Sequence, residues 1–92
     1  MTAYDGSTGL MDIRLGVDKE LATLLRDNPL CAGQAMTEQD GEMLVDLRLP
    51  PTEELLSWIH SMGSRVEVMH PPLLRELMRS SLEAAFNRYR LV

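Results

Sequence analysis

Met43-Leu44-Val45-Asp46-Leu47-Arg48-Leu49 is the stretch that decides the fold, with Met11-Asp12-Ile13-Arg14-Leu15-Gly16-Val17 as its counterpart. In the first, Met43, Val45, Leu47 and Leu49 alternate with Leu44, Asp46 and Arg48; in the second, Met11, Ile13, Leu15 and Val17 alternate with Asp12, Arg14 and Gly16. Successive strand side chains point to opposite faces, so each stretch predicts a strand with one buried face and one mixed, charged face. Asp40-Gly41 stands just before the later strand, and Gly accepts the positive φ that a tight hairpin needs. A partner strand is therefore expected upstream, over about Cys31 to Thr37.

Helices fit between and after these strands. Asp18 can cap a helix whose apolar stripe is Leu21, Leu24 and Leu25, and Asn28-Pro29 stops it because proline disfavours helix in the preceding residue. Pro50-Pro51 ends the strand of Leu49, and Thr52 can cap a second helix with Glu53 and Glu54 at its positive dipole end. That helix buries Leu55, Leu56, Ile59 and Met62 beside Trp58, and Gly63 is its stop. Val66 and Val68 carry a fourth, short strand. Pro71-Pro72 then open a last helix with the stripe Leu74, Leu77, Met78, Leu82, Ala85, Phe86 and Tyr89.

The order predicts an α+β domain: a ferredoxin-like β-α-β-β-α-β sandwich with an added C-terminal helix. Met1 to Gly9, rich in Gly, Ser and Thr, reads as a linker or the remnant of something upstream, and residues 10–92 as one domain. The two crossover helices cover only one sheet face. The other would show Asp12, Arg14, Leu44, Asp46, Arg48, Glu67 and Met69. The surplus helix must bury its stripe on its own domain, on a neighbouring domain or on a second copy. Leu77, Met78, Leu82 and Phe86 are the expected contact of a homodimer, since two-fold self-complementary assembly is the commonest.

Composition narrows the function classes. In 92 residues there is room for one domain, and nine basic residues face fourteen acidic ones, a net charge of −5. Nucleic-acid backbone is bound by neutralising phosphates, so this balance points away from DNA, although eight of the nine basic residues are Arg. No apolar run is long enough to span a membrane, and the N-terminus has no signal pattern. Cys31 is alone and lacks metal-ligand spacing. The expectation is a cytoplasmic protein.

Signatures of chemistry are missing: no phosphate loop, paired-cysteine motif, HExxH or nucleophile elbow. Glu67 and His70 are three apart, a helical metal spacing, but on a strand that spacing sends them to opposite faces. Cys31 and His60 could form a thiol and its base, yet a lone Cys in an apolar stretch is an ordinary core residue. Arg14 and Arg48 on adjacent strands offer a ligand-binding site for a small anion or nucleotide on the open sheet face, and Asp12 and Asp46 on the same face offer cross-strand ion pairs instead. Acylphosphatases share the predicted topology, but where they need a phosphate-cradling loop this chain has Val17-Asp18-Lys19-Glu20. Small amino-acid-binding regulatory domains share it too. No enzyme, cofactor or metal is expected.

Leu47-Arg48-Leu49-Pro50, Glu53-Glu54-Leu55-Leu56, Trp58-Ile59, Gly63, Val66-Glu67-Val68, Pro71, Leu74-Arg75 and Tyr89 together resemble the C-terminal extension, or WCX domain, of bacterial WYL-domain transcription regulators. Asp40-Gly41, Asn28-Pro29 and Gln34 fit the same pattern, and Ala3-Tyr4 through Gly9 is similar to the end of a WYL domain. The resemblance implies a parent chain with an N-terminal winged helix that binds DNA, a ligand-sensing WYL domain and this extension, associated with dimer assembly and with coupling ligand state to DNA binding. On this resemblance the chain is either an excised fragment or a stand-alone version opened by Met1, and the fragment is the favoured expectation. Its matched residues are fold residues, so it transfers no active site.

Overall fold

The computed structural model describes residues 4–90. In chain order the elements are β1 (Tyr4–Asp5), β2 (Leu10–Val17), α1 (Lys19–Asp27), β3 (Ala35–Gln39), β4 (Glu42–Leu49), α2 (Glu53–Met62), a 3-10 turn (Gly63–Arg65), β5 (Val66–His70) and α3 (Pro72–Tyr89). The described residues form an α+β domain with one antiparallel five-stranded sheet and three α-helices.

The two deciding stretches pair with each other. Met11 to Val17 of β2 run antiparallel to Leu49 to Met43 of β4, in unbroken register. β3 adds to the far side of β4 through a two-residue turn in which Asp40 and Gly41 both have positive φ, +52° and +83°. This is the conformation whose twist matches the flanking strands, and it needs residues tolerant of the left-handed region. β5 takes the other edge of β2 over Arg14 to Val17, and β1 takes that same edge at Leu10 and Met11. The long strands thus run β5-β2-β4-β3 across the sheet. Between Arg14 and Leu15 the β2–β5 register shifts, with Met69 as the extra residue of a bulge.

One face of this sheet carries the core. Ile13, Leu15, Val17, Met43, Val45, Leu47, Val66 and Val68 pack with Leu21, Ala22 and Leu25 of α1 and Leu55 and Ile59 of α2. The caps are as expected: Leu21 N–H donates to Asp18 Oδ1 at 2.6 Å and Leu55 N–H to Thr52 Oγ1 at 3.2 Å. Leu24, assigned to the buried stripe of α1, is instead 52% exposed, and Ala22 is buried in its place. A nine-residue helix with Leu21 and Leu25 on the sheet turns position 24 off that face, and the small Ala22 fits closest to it.

Two further boundaries differ from expectation. The strand placed at Cys31 to Thr37 begins only at Ala35. Gly33 has φ +79°, and Gln34 ties the preceding turn shut by donating from Nε2 to Leu25 O while its Oε1 accepts from Leu30 N–H, both at 2.9 Å. Within the stretch read as a linker or the remnant of something upstream, Tyr4–Asp5 form the strand β1 on the edge of β2, and the Asp5 carboxylate closes the turn that follows by accepting from Ser7 N–H and Oγ–H. Residues 1–3 of that stretch lie outside the described residues.

Candidate functional site

The helix α3 joins the core with only its first turns. Leu74 and Met78 are 4% and 5% exposed and belong to the same cluster as Ile59, Val66 and Val68. Four residues of spacing put them on one face, above β5. From Arg79 to Arg90 every residue is exposed. Leu77, Leu82 and Phe86 are 53%, 53% and 63% exposed, and Leu73 and Tyr89 are exposed as well. The suspected contact Leu77, Met78, Leu82 and Phe86 therefore divides: Met78 is a core residue of its own domain, whereas the other three reach solvent. The outline agrees, since the radius of gyration is 13.9 Å where a compact chain of this length gives roughly 12 Å.

Between α3, the end of α2 and β5 lies a groove of about 520 Å³. Its floor is Ile59, Val66, Val68, Met78 and Leu82, and its rim carries His60, Ser64, Glu67, Arg75 and Arg79. At one end His60 Nε2 and Ser81 Oγ stand 3.1 Å apart, joining α2 to α3. Along β5, Arg75 donates through Nη1 to the Glu67 carboxylate and to Val68 O. Arg79 is held from the other side by Glu76 and Glu83 at 2.7 Å each. The hydrogen bonds from Arg79 hold the Glu76 carboxyl below the usual glutamate range, and the two carboxylates raise the Arg79 guanidinium above its already high value. Sequence reasoning had no access to this groove: His60 and Ser81 are 21 residues apart, and no spacing rule connects them.

The open sheet face is laced with cross-strand pairs. Arg14 meets Asp46 through Nε and Nη2 at 2.8 and 3.1 Å, and Arg48 meets Asp12 at 2.8 Å with Asp5 at 3.6 Å. Arg14 and Asp46 are directly opposed in the register, as are Asp12 and Arg48. The hydrogen bond to Asp46 also raises the Arg14 pKa. Both guanidinium groups thus already face carboxylates of their own sheet. Leu44, expected on this face, is buried there: its row partner Gly16 has no side chain, and Met69 folds over that glycine.

The remaining candidates stay apart in role. Cys31 is a free, partly buried thiol packed against the core in the turn after α1, while His60 belongs to the α2–α3 contact. Glu67 is taken by Arg75, and His70 sits opposite Arg14 at the bulge. Among the described residues no three His, Cys, Asp or Glu side chains gather as a metal group would require. Among the described residues no helix is long and apolar enough to cross a membrane.

Fold and surface define a small α+β domain whose largest exposed apolar feature is a helix, with an apolar groove at that helix's base. A family model described as the WCX domain matches residues 9–86, and the chain belongs to that family. No curated protein matches the chain.

Proposed function

We propose that this domain is a non-catalytic regulatory and oligomerisation module of a WYL-family, DNA-binding transcription regulator, in which it couples ligand sensing to dimer arrangement. Membership of the WCX family supports the regulatory context. The sheet order β5-β2-β4-β3, with α1 and α2 on one face, supports the ferredoxin-like reading of the fold, two interlocked split β-α-β units followed by α3. DNA contact falls to the winged helix of the parent chain, and the acidic balance of this domain suits protein partners: the parent's WYL and winged-helix domains and a second copy. The setting we assign is cytoplasmic.

The observation that carries the reading is the second half of α3. Eleven residues, 79–89, continue a helix with little help from the domain body, and segments this short are not stable helices in isolation. Their stripe of Leu82, Phe86 and Tyr89, continued upstream by Leu77, is a surface for another protein. A second copy of the chain meets it by two-fold symmetry. Light-scattering mass after size exclusion, over a wide range of concentration, tests this. The expected result is a dimer that Leu82→Glu with Phe86→Glu converts to a folded monomer; a folded double variant of unchanged mass overturns it.

A further inference from the structure

We propose that the groove between the end of α2, β5 and α3 receives Phe86 from a second copy of the chain, whose α3 crosses antiparallel at Leu82 and whose own groove receives Phe86 in return. The inference rests on the two-copy reading above and names what each copy presents to the other.

Leu82 fixes the register. It is the last residue of α3 to line the groove, and it opens the exposed stripe that runs on to Phe86 and Tyr89. A two-fold axis placed there sets each residue opposite the one equally far beyond Leu82 in the other copy. Phe86 then stands opposite Met78, which floors the groove with Ile59, Val66 and Val68. The facing is right as well. Arg75, Arg79 and Leu82 line the groove from one flank of α3, and Phe86 continues that flank at spacings of four and seven. Antiparallel two-fold pairing brings like flanks together, so Phe86 turns towards the groove. The chain's own Phe86 cannot fill this place. α3 is one helix through Tyr89, and at about 1.5 Å per residue Phe86 lies about 12 Å beyond Met78 along its axis. The groove, about 520 Å³ with an apolar floor, accepts a large side chain, and aromatic anchors in such pockets dominate protein interfaces.

Charge favours the same occupant. Around the groove, Glu67 matches Arg75, and Glu76 with Glu83 match Arg79, which leaves the border slightly acidic. The incoming segment, residues 84–90, carries Arg88 and Arg90 and no acid. In the register centred on Leu82, Arg90 lies within one turn of Glu76 of the other copy and on the same flank. Tyr89 stands opposite Arg75. Among the described residues the hydrogen bonds of Arg75 use Nη1 alone, so its guanidinium is open to the tyrosine ring and hydroxyl.

Isotope-filtered NOE spectroscopy on an equal mixture of methyl-labelled and unlabelled chain tests the seat, alongside light-scattering mass at the same concentrations. Phe86 is the one phenylalanine of the sequence, so its ring signals belong to a single position. The expected result is contact between the Phe86 ring of one copy and the methyls of Val66, Val68 and Met78 of the other. Phe86→Ala is expected to weaken association at least about tenfold, as loss of a central aromatic anchor does. Arg90→Glu is expected to weaken it severalfold, and more than Arg26→Glu, the same charge change on α1. A dimer in which Phe86 reaches only Leu77 and Leu82 of the other copy overturns the groove and leaves the two-copy reading standing. Association unchanged by Phe86→Ala overturns the seat, and equal effects of Arg90→Glu and Arg26→Glu overturn the register. A chain that stays monomeric at every concentration overturns this inference and the two-copy reading together.

Discussion

The two halves of α3 carry the same apolar periodicity and meet opposite fates. Residues 72–78 place Leu74 and Met78 in the core, and residues 79–89 place Leu82 and Phe86 in solvent. The difference lies in what stands opposite. β5 is only five residues long and the sheet ends at its edge, so the body offers α3 about two turns of contact. Beyond that the body meets the helix only through the His60–Ser81 contact and the groove that Leu82 borders, and from Ala85 on no residue of the helix lines it. An amphipathic pattern shows that a face will be buried; it does not show by what.

Truncation in the two halves gives the largest contrast. Met78→Ala is expected to cost about 2–4 kcal/mol in denaturant unfolding, the transfer and cavity loss of a buried side chain. Phe86→Ala is expected to stay within about 0.5 kcal/mol at concentrations where the chain is monomeric, as an exposed position should. If both variants lose comparable stability under those conditions, the second half is packed on the body after all and the division at Arg79 fails.

The same contrast explains what was legible in the sequence. The strands β2 and β4, the caps Asp18 and Thr52 and the Asp40-Gly41 turn follow from local rules, because each depends on neighbours in the chain. The cross-strand pairs of Arg14 and Arg48 followed from alternation alone. Errors came where a distant residue decides. Gln34 reaches back to Leu25 and so converts an expected strand into a turn. Met69 closes over Gly16, and Leu44 in that row of the sheet is buried on a face read as open. Met78 belongs to the core because β5 passes beneath it, which the spacing of Leu77, Met78 and Leu82 cannot encode. The groove lies wholly in this second category.

A helix-breaking change tests whether the halves are energetically joined. Ala85→Gly weakens the helix locally by about 1 kcal/mol. With a body that does not feel residues 79–89, global unfolding of the monomer is unchanged while amide exchange in that segment quickens. In a dimer that uses the stripe, the same substitution instead weakens association, so the stabilisation that comes with dimer formation sets in only at higher protein concentration. A loss of global stability that is independent of concentration breaks the comparison.

The smallest expected effect is electrostatic and belongs to the junction of the halves. The hydrogen bonds from Arg79 hold the Glu76 carboxyl below its ordinary range in the folded chain. A depressed carboxyl contributes stability above its unfolded pKa and loses it as pH falls through the folded one. Helix order around residues 76–83 should therefore persist through mildly acidic pH and decline only once Glu76 takes up its proton. Both partners are exposed, so the change is small and is screened by salt. Carboxyl-carbon NMR titration reads the midpoint directly, and Arg79→Gln should move it up towards the ordinary glutamate value. A midpoint already there in the parent would mean that Arg79 turns elsewhere in solution, leaving the junction, like the helix beyond it, to be ordered by whatever covers the stripe.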